Sequence, residues 1–470
     1  MERNLKISLI ALLLIQVLIG IAISSANPFI DEGQYISYAY YTYAGETPYL
    51  DFFSLHGPGT MYLWSFFFSI FGDSVFTARM VVLLVELMIT VLLFTLARKM
   101  FDDQTAFLAT AFYAFFMPVL HGLLAIIEPF MTLFSLITIY LLYTYFFDKK
   151  ENKFLLGAGI ALGLGILFRQ SVILLIPFLI LFIFMFNQEK KSLKKLWNEL
   201  GIFIGGIAVF PILAAIFFAL RGALNEFLYG VLFYNLTKGF IYNKMETGQG
   251  ALGVINELHE FAVLGLVFAA VIFLFWKNYL LMKKRSKYFL KWNLLLLSVV
   301  ALVSNLFPIY DELHLLPALP IFAILFGFWG VKVFEYLKLK KKELINYAVI
   351  LVFVLFVLGI SVFSINYYSS RLLVDGFGEI NAVGNYIQSN TAENETIFSF
   401  PFHPYTYFVS KRPLATHYLY IAPWTAREEV KSGMLSSLQQ SRPAYVVYYR
   451  NFSLEGQTPE QYAPEISQWI

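Results

Sequence analysis

The sequence contains no cysteine. This absence excludes a disulfide framework, a thiolate metal site and a thiol nucleophile. Charged residues are also scarce, at 14% of the chain, whereas average soluble domains carry about 25%. In their place stand 59% hydrophobic and 19% aromatic residues, which indicate a polytopic membrane protein. The formal net charge of +3 is too small to indicate a nucleic-acid partner.

Several chemical motifs are missing as well. The sequence has no glycine-rich phosphate loop, no serine nucleophile elbow and no Cys/His metal cluster. Nucleotide substrates are therefore poorly supported, and so is a serine-based acyl transfer. Any chemistry must come from carboxylates, histidines and arginines in an apolar surround.

Basic residues set the expected topology, because short cytoplasmic loops carry an excess of Lys and Arg. Six basic clusters occur, at Arg3/Lys6, Arg98-Lys99, Lys149 to Lys153, Lys190 to Lys195, Lys277 to Lys291 and Lys332 to Lys342. The apolar run Met61 to Phe71 is only about half the length of a spanning helix. Counting it as a crossing would place Arg98-Lys99 and every later cluster on the wrong side. We therefore expect an interfacial or re-entrant helix there, with a short true span as the alternative.

The remaining apolar runs then alternate across the bilayer. The first, Ile7 to Ser25, is expected to be a retained helix with a cytoplasmic N-terminus. The others run approximately over 75–97, 105–120, 123–147, 154–168, 171–186, 201–220, 261–276, 293–307, 315–334 and 344–365. The predicted fold is thus an all-α polytopic membrane protein with about eleven transmembrane helices. A second large outer loop is expected over 221–260.

The composition changes after residue 365. Residues 366–470 are predicted to form a small extracytoplasmic α/β domain, and residues 1–365 the membrane domain. Helices are expected at Glu379 to Gln388 and Arg427 to Leu438, and strands at Thr396 to Phe400 and Tyr445 to Tyr449.

Polar residues converge on one membrane face in this topology. The stretch Asn27 to Asp73 carries Asp31, Glu32, Asp51 and His56 among many aromatic residues, as suits the membrane interface. Carboxylates held there are costly, so they are candidates for function. Further candidates at outer helix ends are Arg79, His121, Glu128, Arg169, Gln170, Asp311, Glu312 and His314.

Carboxylates, a histidine and a few arginines suit the attack of an acceptor hydroxyl on a sugar joined to a lipid phosphate. A carboxylate accepts the hydroxyl proton as the bond forms. The departing phosphate needs cationic stabilisation rather than an acid. One base and one cation cluster are enough for a single inverting displacement, whereas a retaining mechanism needs a close, specialised carboxylate pair.

The same residues carry a resemblance. Asp31-Glu32 after the first helix, followed by Asp51-Phe-Phe-Ser-Leu-His56-Gly-Pro58, resembles the first outer loop of GT-C class glycosyltransferases. The nearest groups are the protein O-mannosyltransferases and the lipid A aminoarabinose transferase. Short motifs around Phe71-Gly72, Ala78-Arg79, Gly163 to Gln170 and Leu315 to Pro320 are also similar. The chain departs from these families at Gly57 and Gly59, where their loops have paired prolines beside a basic residue.

The resemblance implies that Asp31 is the catalytic acidic residue and that His56 lies near the donor phosphate. We expect Glu32 to assist Asp31, and Arg79 and Arg169 to bind the donor phosphate. Candidate substrate-binding residues are Asp51, Glu128, Gln170 and His314. No metal site is expected. Each residue also has a structural alternative. Asp31 can cap a helix, and Glu32 can orient its neighbour. His56 can form hydrogen bonds only within its loop, and the arginines can contact lipid headgroups.

The predicted activity is transfer of a sugar from a polyprenyl (dolichyl or undecaprenyl) phosphate to a hydroxyl of a protein, lipid or glycan at the outer or lumenal face. The expected location is the plasma membrane, with the active site and the C-terminal domain extracytoplasmic. A transporter or flippase for a lipid-linked saccharide is the main alternative, although no half of the chain resembles the other. A non-enzymatic scaffold is the third.

Overall fold

The computed structural model describes residues 2–24, 28–187, 192–236, 286–306, 312–339, 359 and 376–470, apart from 451 and 455. Twelve helices occupy the described part of the membrane region. They are α1 (Glu2–Ser24), α2 (Ile30–Tyr43), α3 (Gly59–Phe71), α4 (Val75–Met100), α5 (Asp103–Phe116), α6 (Glu128–Tyr143), α7 (Asn152–Phe168), α8 (Leu175–Asn187), α9 (Leu193–Leu220), α10 (Leu224–Leu228), α11 (Lys287–Val303) and α12 (Leu319–Leu339).

Six stretches of the described residues are long and apolar enough to cross a bilayer: Leu5–Ser24, Val75–Met100, Glu128–Asp148, Gln170–Asn187, Leu193–Leu220 and Leu313–Tyr336. This confirms the polytopic α-helical class. Helix α3 has 13 residues, and at about 1.5 Å per residue it is too short to span 30 Å of hydrocarbon. The expectation that this run does not cross the membrane agrees with its length.

One predicted boundary was wrong in an informative way. The run expected to be helical from Leu123 is helical only from Glu128. Residues 121–127 form a buried turn instead, following a 3₁₀ turn at Met117–Leu120. The predicted crossings over 261–276 and 344–365 lie outside the described residues, except for residue 359, and the outer loop over 221–260 is described only to 236.

The C-terminal region contains the two predicted strands. Strands β1 (Ile397–Phe400) and β2 (Tyr445–Tyr448) pair in parallel, with Ile397 opposite Tyr445. Helices α13 (Gly376–Asn390) and α15 (Glu428–Ser441) correspond to the two expected helices, and α14 (Tyr405–Ser410), α16 (Pro459–Tyr462) and α17 (Pro464–Trp469) complete the region. A small α/β unit is therefore confirmed, and its boundary at residue 366 stays a prediction.

This region packs directly on α2. A Cβ added at Gly33 would lie 2.7 Å from Tyr405 Cβ, so glycine permits the close approach of α2 and α14. The two share a hydrophobic core in which Tyr38, Tyr41 and Phe52 of the outer loop meet Tyr407 and Leu419. The segment that follows α1 is therefore held between the membrane helices and the C-terminal region.

Candidate active site

Glu32 and Arg79 form a buried joint between three segments. Arg79 donates to the Glu32 carboxylate from Nε at 2.8 Å and from Nη2 at 2.6 Å, and both side chains are almost fully buried. Arg79 Nη1 also donates to the carbonyl of Ile23 at 2.9 Å, at the end of α1. Glu32 accepts further bonds from the backbone N–H groups of Phe29 and Ala125, both at 2.7 Å. The joint thus fixes α1, α2 and the turn 121–127 on α4.

Asp31 precedes Glu32 but faces another direction, because successive residues of an α-helix are rotated by about 100°. The helix α2 starts after Phe29, whose N–H is bound by Glu32. The alternative that Asp31 caps this helix is therefore not what the structure has, since Glu32 does so. Burial raises the pKa of Asp31 to about 6, against the opposing charges of His121 and Arg169.

His56 lies on a loop that is tied down on several sides. Tyr49 donates to the His56 carbonyl at 2.7 Å, and the His56 ring packs edge-on against Tyr35 with centroids 5.1 Å apart. Gln170 donates to the neighbouring carbonyl of Leu55 at 2.9 Å. Burial lowers the pKa of His56 to about 3, and the Arg169 charge acts in the same direction. His56 is therefore a neutral hydrogen-bonding group at physiological pH.

Gly57 explains the departure from paired prolines. A Cβ at this position would lie 2.1 Å from the carbonyl oxygen of Leu167, at the end of α7. A Cβ at Gly59 would meet the Phe168 ring at 2.8 Å. The loop that carries His56 therefore rests directly on the backbone that leads into Arg169.

Arg169 is the cation that links the predicted residues. Its Nη1 is hydrogen-bonded to Glu128 Oε1, and its Nε donates to Ser171 at 3.1 Å. His314 Nε2 lies 3.9 Å from the same Glu128 oxygen. The charge of Arg169 acts on both Asp31 and His56. The structure thus brings Asp31, His56, Glu128, Arg169 and His314 near one another, although they come from four separate parts of the chain.

Asp51 is not part of this cluster. It is exposed, and its Oδ2 accepts the backbone N–H of Thr47 at 2.6 Å, which closes a turn. Asp311 lies outside the described residues, and the side chain of Glu312 is not described. Among the described residues, no group of three or more His, Asp or Glu side chains is placed to hold a metal ion. Metal independence stays a prediction.

Sequence reasoning did not assign a role to several groups at the site. His121 is buried beside Asp31 in a left-handed conformation, φ 60°, and stacks on Phe29. From the C-terminal region comes Tyr420, whose hydroxyl accepts Gln34 Nε2 at 3.1 Å. Burial raises the pKa of Tyr420 well above its usual value, and Tyr38, Tyr234, Tyr35 and Asp31 add to the effect. The C-terminal region therefore contributes to the wall of the site, which only the tertiary structure could reveal.

A separate apolar groove of about 700 Å³ lies between α1, α4 and α6. Its lining consists of Leu13, Leu84, Leu87, Met88, Val91, Leu92, Thr95, Leu133 and Tyr140. None of these residues belongs to the polar cluster. Three of the helices predicted to cross the membrane contribute its lining.

Comparison with known proteins bears on the family and the fold. Residues 55–214, about a third of the chain, match the family model described as dolichyl-phosphate-mannose-protein mannosyltransferase. No curated protein matches the sequence. The matched segment contains His56, Arg79, Glu128, Arg169 and Gln170, but it begins after Asp31.

Solved structures extend the similarity over most of the chain. ArnT from Cupriavidus metallidurans bound to undecaprenyl phosphate matches with a TM-score of 0.62 at 15% identity, over 85% of each chain. The apo oligosaccharyltransferase of Archaeoglobus fulgidus matches with 0.61 at 13% identity, over 93% of this chain and 69% of the other. The oligosaccharyltransferase AglB from the same organism, in complex with an inhibitory peptide and a dolichol-phosphate, matches with a TM-score of 0.59 at 12% identity, over 93% of this chain and 69% of the other.

The chain therefore has the GT-C fold and resembles the PMT/ArnT-like membrane glycosyltransferases, as its motifs predicted.

Proposed function

We propose that this GT-C protein transfers a sugar from a polyprenyl phosphate to an acceptor hydroxyl, with Asp31 as general base and inversion at the sugar carbon. The observation that carries the proposal is that Asp31, in the first turn of α2, is under the electrostatic influence of Arg169, whose guanidinium is bonded to Glu128. A carboxylate whose pKa is raised by burial stands within the electrostatic reach of a guanidinium. The ArnT and AglB structures, which have the same fold, hold undecaprenyl phosphate and a dolichol-phosphate.

Asp31 has the properties that a base for a hydroxyl requires. With a pKa of about 6 it is mostly ionised at neutral pH, yet it is a stronger proton acceptor than an ordinary aspartate. Asp31 makes no hydrogen bond or ion pair with another described side chain, so its oxygens stay available to an acceptor. Glu32, by contrast, accepts four hydrogen bonds from Arg79, Phe29 and Ala125.

These hydrogen bonds assign different roles to the residues predicted to be catalytic or phosphate-binding. Asp31 acts on the acceptor, while Glu32 and Arg79 position it. Arg169 is the cation for the departing phosphate, because its side chain is 15% exposed where that of Arg79 is 1%. His56 is a neutral donor beside it, and Glu128 holds Arg169 in place. Gln170 supports the His56 loop rather than the substrate.

The steps follow from these positions. The acceptor hydroxyl loses its proton to Asp31 as its oxygen attacks the anomeric carbon from the face opposite the phosphate. The bond between that carbon and the phosphate oxygen breaks, and the polyprenyl phosphate leaves with the electron pair. Arg169 stabilises the charge that develops on the leaving oxygen. One displacement gives one inversion.

The test is turnover of decaprenyl-phosphate hexoses by the purified protein in nanodiscs. Turnover is measured as the amount of free decaprenyl phosphate that is released. Asp31→Asn should lower the rate at least a hundredfold, because general-base catalysis contributes about 10²–10⁴. The matched control is Glu46→Gln, an exposed carboxylate of the same outer loop, which should keep the wild-type rate. Equal rates for Asp31→Asn and wild type would refute the assignment of the base.

A further inference from the structure

The site has a second cation on the side of the C-terminal region. Arg427 precedes α15, and its guanidinium stacks on the ring of Tyr234, with the guanidinium carbon 3.9 Å from the ring centroid. Both terminal nitrogens, Nη1 and Nη2, are shielded from solvent. In the described part of the chain neither nitrogen has a hydrogen-bond partner.

Tyr234 adds an independent observation. Its side chain is 2% exposed, and its hydroxyl also lacks a hydrogen-bond partner among the described residues. Buried donors are almost always paired, because a buried donor without a partner costs much of its hydration energy. Two unpaired donors side by side, one of them charged, therefore indicate a place for a ligand rather than a packing detail.

The neighbouring groups do not supply the missing partner. Glu428 and Glu429 are the nearest acids in sequence, but both are exposed. Glu428 Oε1 lies 2.5 Å from Lys431 Nζ, and Glu429 Oε1 accepts the hydroxyl of Tyr229 at 2.7 Å. Stacking on Tyr234 satisfies one face of the guanidinium by a cation–π contact, yet it uses none of the N–H groups at the rim. A guanidinium rim suits a carboxylate or a phosphate, which it can bind with two parallel hydrogen bonds.

One residue, Tyr420, connects the pair to the helix that carries the proposed base. Tyr420 lies within electrostatic reach of both Tyr234 and Asp31, and it is hydrogen-bonded to Gln34 of α2, which follows Asp31 by one helical turn. Tyr420 is therefore the residue of the C-terminal region that links the pair to the helix of Asp31.

We propose that Arg427 and Tyr234 form a binding site for an anionic group, a carboxylate or a phosphate, carried by the acceptor beside its reacting hydroxyl. The acceptor class is then an acidic or phosphorylated glycoside rather than a neutral one. The identification of the ligand as the acceptor rests on the proposed function, but the binding of an anion at this site does not depend on turnover.

Binding tests the site without any donor. Thermal unfolding of the whole protein in nanodiscs is measured with phenyl glucoside, phenyl glucuronide and phenyl glucoside 6-phosphate at millimolar concentration. A ligand that binds only the folded protein raises the melting temperature. We expect one or both anionic glycosides to stabilise the wild type and the neutral one not to, and the two anionic arms separate a carboxylate from a phosphate.

Four variants locate the effect. Arg427→Gln should abolish the stabilisation, Arg427→Lys should retain part of it, and Tyr234→Phe, which keeps the ring for stacking, should weaken apparent affinity roughly tenfold through loss of a charge-assisted hydrogen bond. Arg450→Gln is the matched control, because Arg450 also lies over a tyrosine ring, Tyr448, but is exposed. Stabilisation by the neutral glycoside to the same extent, no stabilisation by either anion, or an unchanged response in Arg427→Gln would overturn the proposal.

Turnover distinguishes this failure from failure of the proposed function. If the wild type uses decaprenyl-phosphate hexoses but prefers neutral acceptors, the role of Arg427 in acceptor binding is refuted and the transferase stands. If anionic glycosides bind through Arg427 but no donor is consumed, the binding site stands and the transferase is refuted. When both hold, the kcat/KM ratio of anionic to neutral acceptor should exceed about tenfold and should approach one in Arg427→Gln.

Discussion

Replacing Asp31 by asparagine should stabilise the protein while it removes activity. Burial raises the pKa of Asp31 from 3.8 to about 6, and one pKa unit corresponds to about 1.4 kcal/mol, so ionising this carboxyl in the folded protein costs about 3 kcal/mol. The favourable position of an acid in the first turn of α2 returns about 0.3–1 kcal/mol. Asp31→Asn should therefore raise the free energy of unfolding at pH 7.5 by about 2 kcal/mol.

The pH dependence gives this prediction its sign. Between the unfolded pKa near 3.9 and the folded value of about 6, the unfolded chain releases the proton and the folded protein keeps it. The wild type thus loses stability as pH rises through this window and reaches a plateau above it, whereas Asp31→Asn does not. The two proteins should unfold alike near pH 4 and differ most above pH 6.5.

The assay is thermal unfolding in nanodiscs at pH 4.5, 6 and 7.5, with Glu393→Gln, at an exposed carboxylate of the C-terminal region, as the control. If Asp31 instead held the helix or another element in place, its amide variant would be less stable at pH 7.5. That result would refute the argument that Asp31 is a desolvated base held for chemistry.

Three other changes test the parts around Asp31. Glu32→Gln should destabilise the protein by about 3–5 kcal/mol, because it leaves the buried Arg79 without its counter-charge. Chemical denaturation measures this loss of stability, and a turnover assay measures activity. A variant that is stable but inactive would show that Glu32 is catalytic rather than structural. In a pH–rate profile, the rate of sugar transfer should rise with pH through an acid limb near pH 6. Arg169→Gln should move that limb to higher pH, since the Arg169 charge lowers the pKa of Asp31. An acid limb that stays in place would show that the Arg169 charge does not act on Asp31. Gly57→Ala should displace the His56 loop from the Leu167 carbonyl, so turnover should be lost while membrane expression is kept. Gly45→Ala is the control for backbone strain alone, because Gly45 lies in open space on the same loop but has a positive φ.

The sequence could predict the class of fold because apolar length and basic clusters are local properties. The Asp31-Glu32 pair could be found in the same way, as could the short length of α3. The division of labour within the pair could not, because it depends on which side of α2 meets Arg79 and the turn 121–127. The apolar pattern does not distinguish a helix start at Glu128 from one at Leu123, but Pro129 in the first turn is a local signal that favours Glu128.

Contacts between segments that are distant in sequence could not be predicted. Arg79 and Arg169 are alike in the sequence, at the outer ends of helices, but the first is enclosed by Glu32 and carbonyls while the second remains partly exposed. Asp51 lies close to His56 in the chain and still turns away into a loop of its own. Arg427 and Tyr420 belong to the C-terminal region, and only the packing of α14 on Gly33 brings that region to the site.

The most direct test of the account is a structure of the protein with a bound decaprenyl-phosphate hexose. The account predicts that the phosphate lies within hydrogen-bond distance of Arg169, at the outer face, and that the anomeric carbon of the sugar is turned towards Asp31. A head group at the Lys-rich face, or one enclosed in a pocket that Asp31 does not reach, would contradict it.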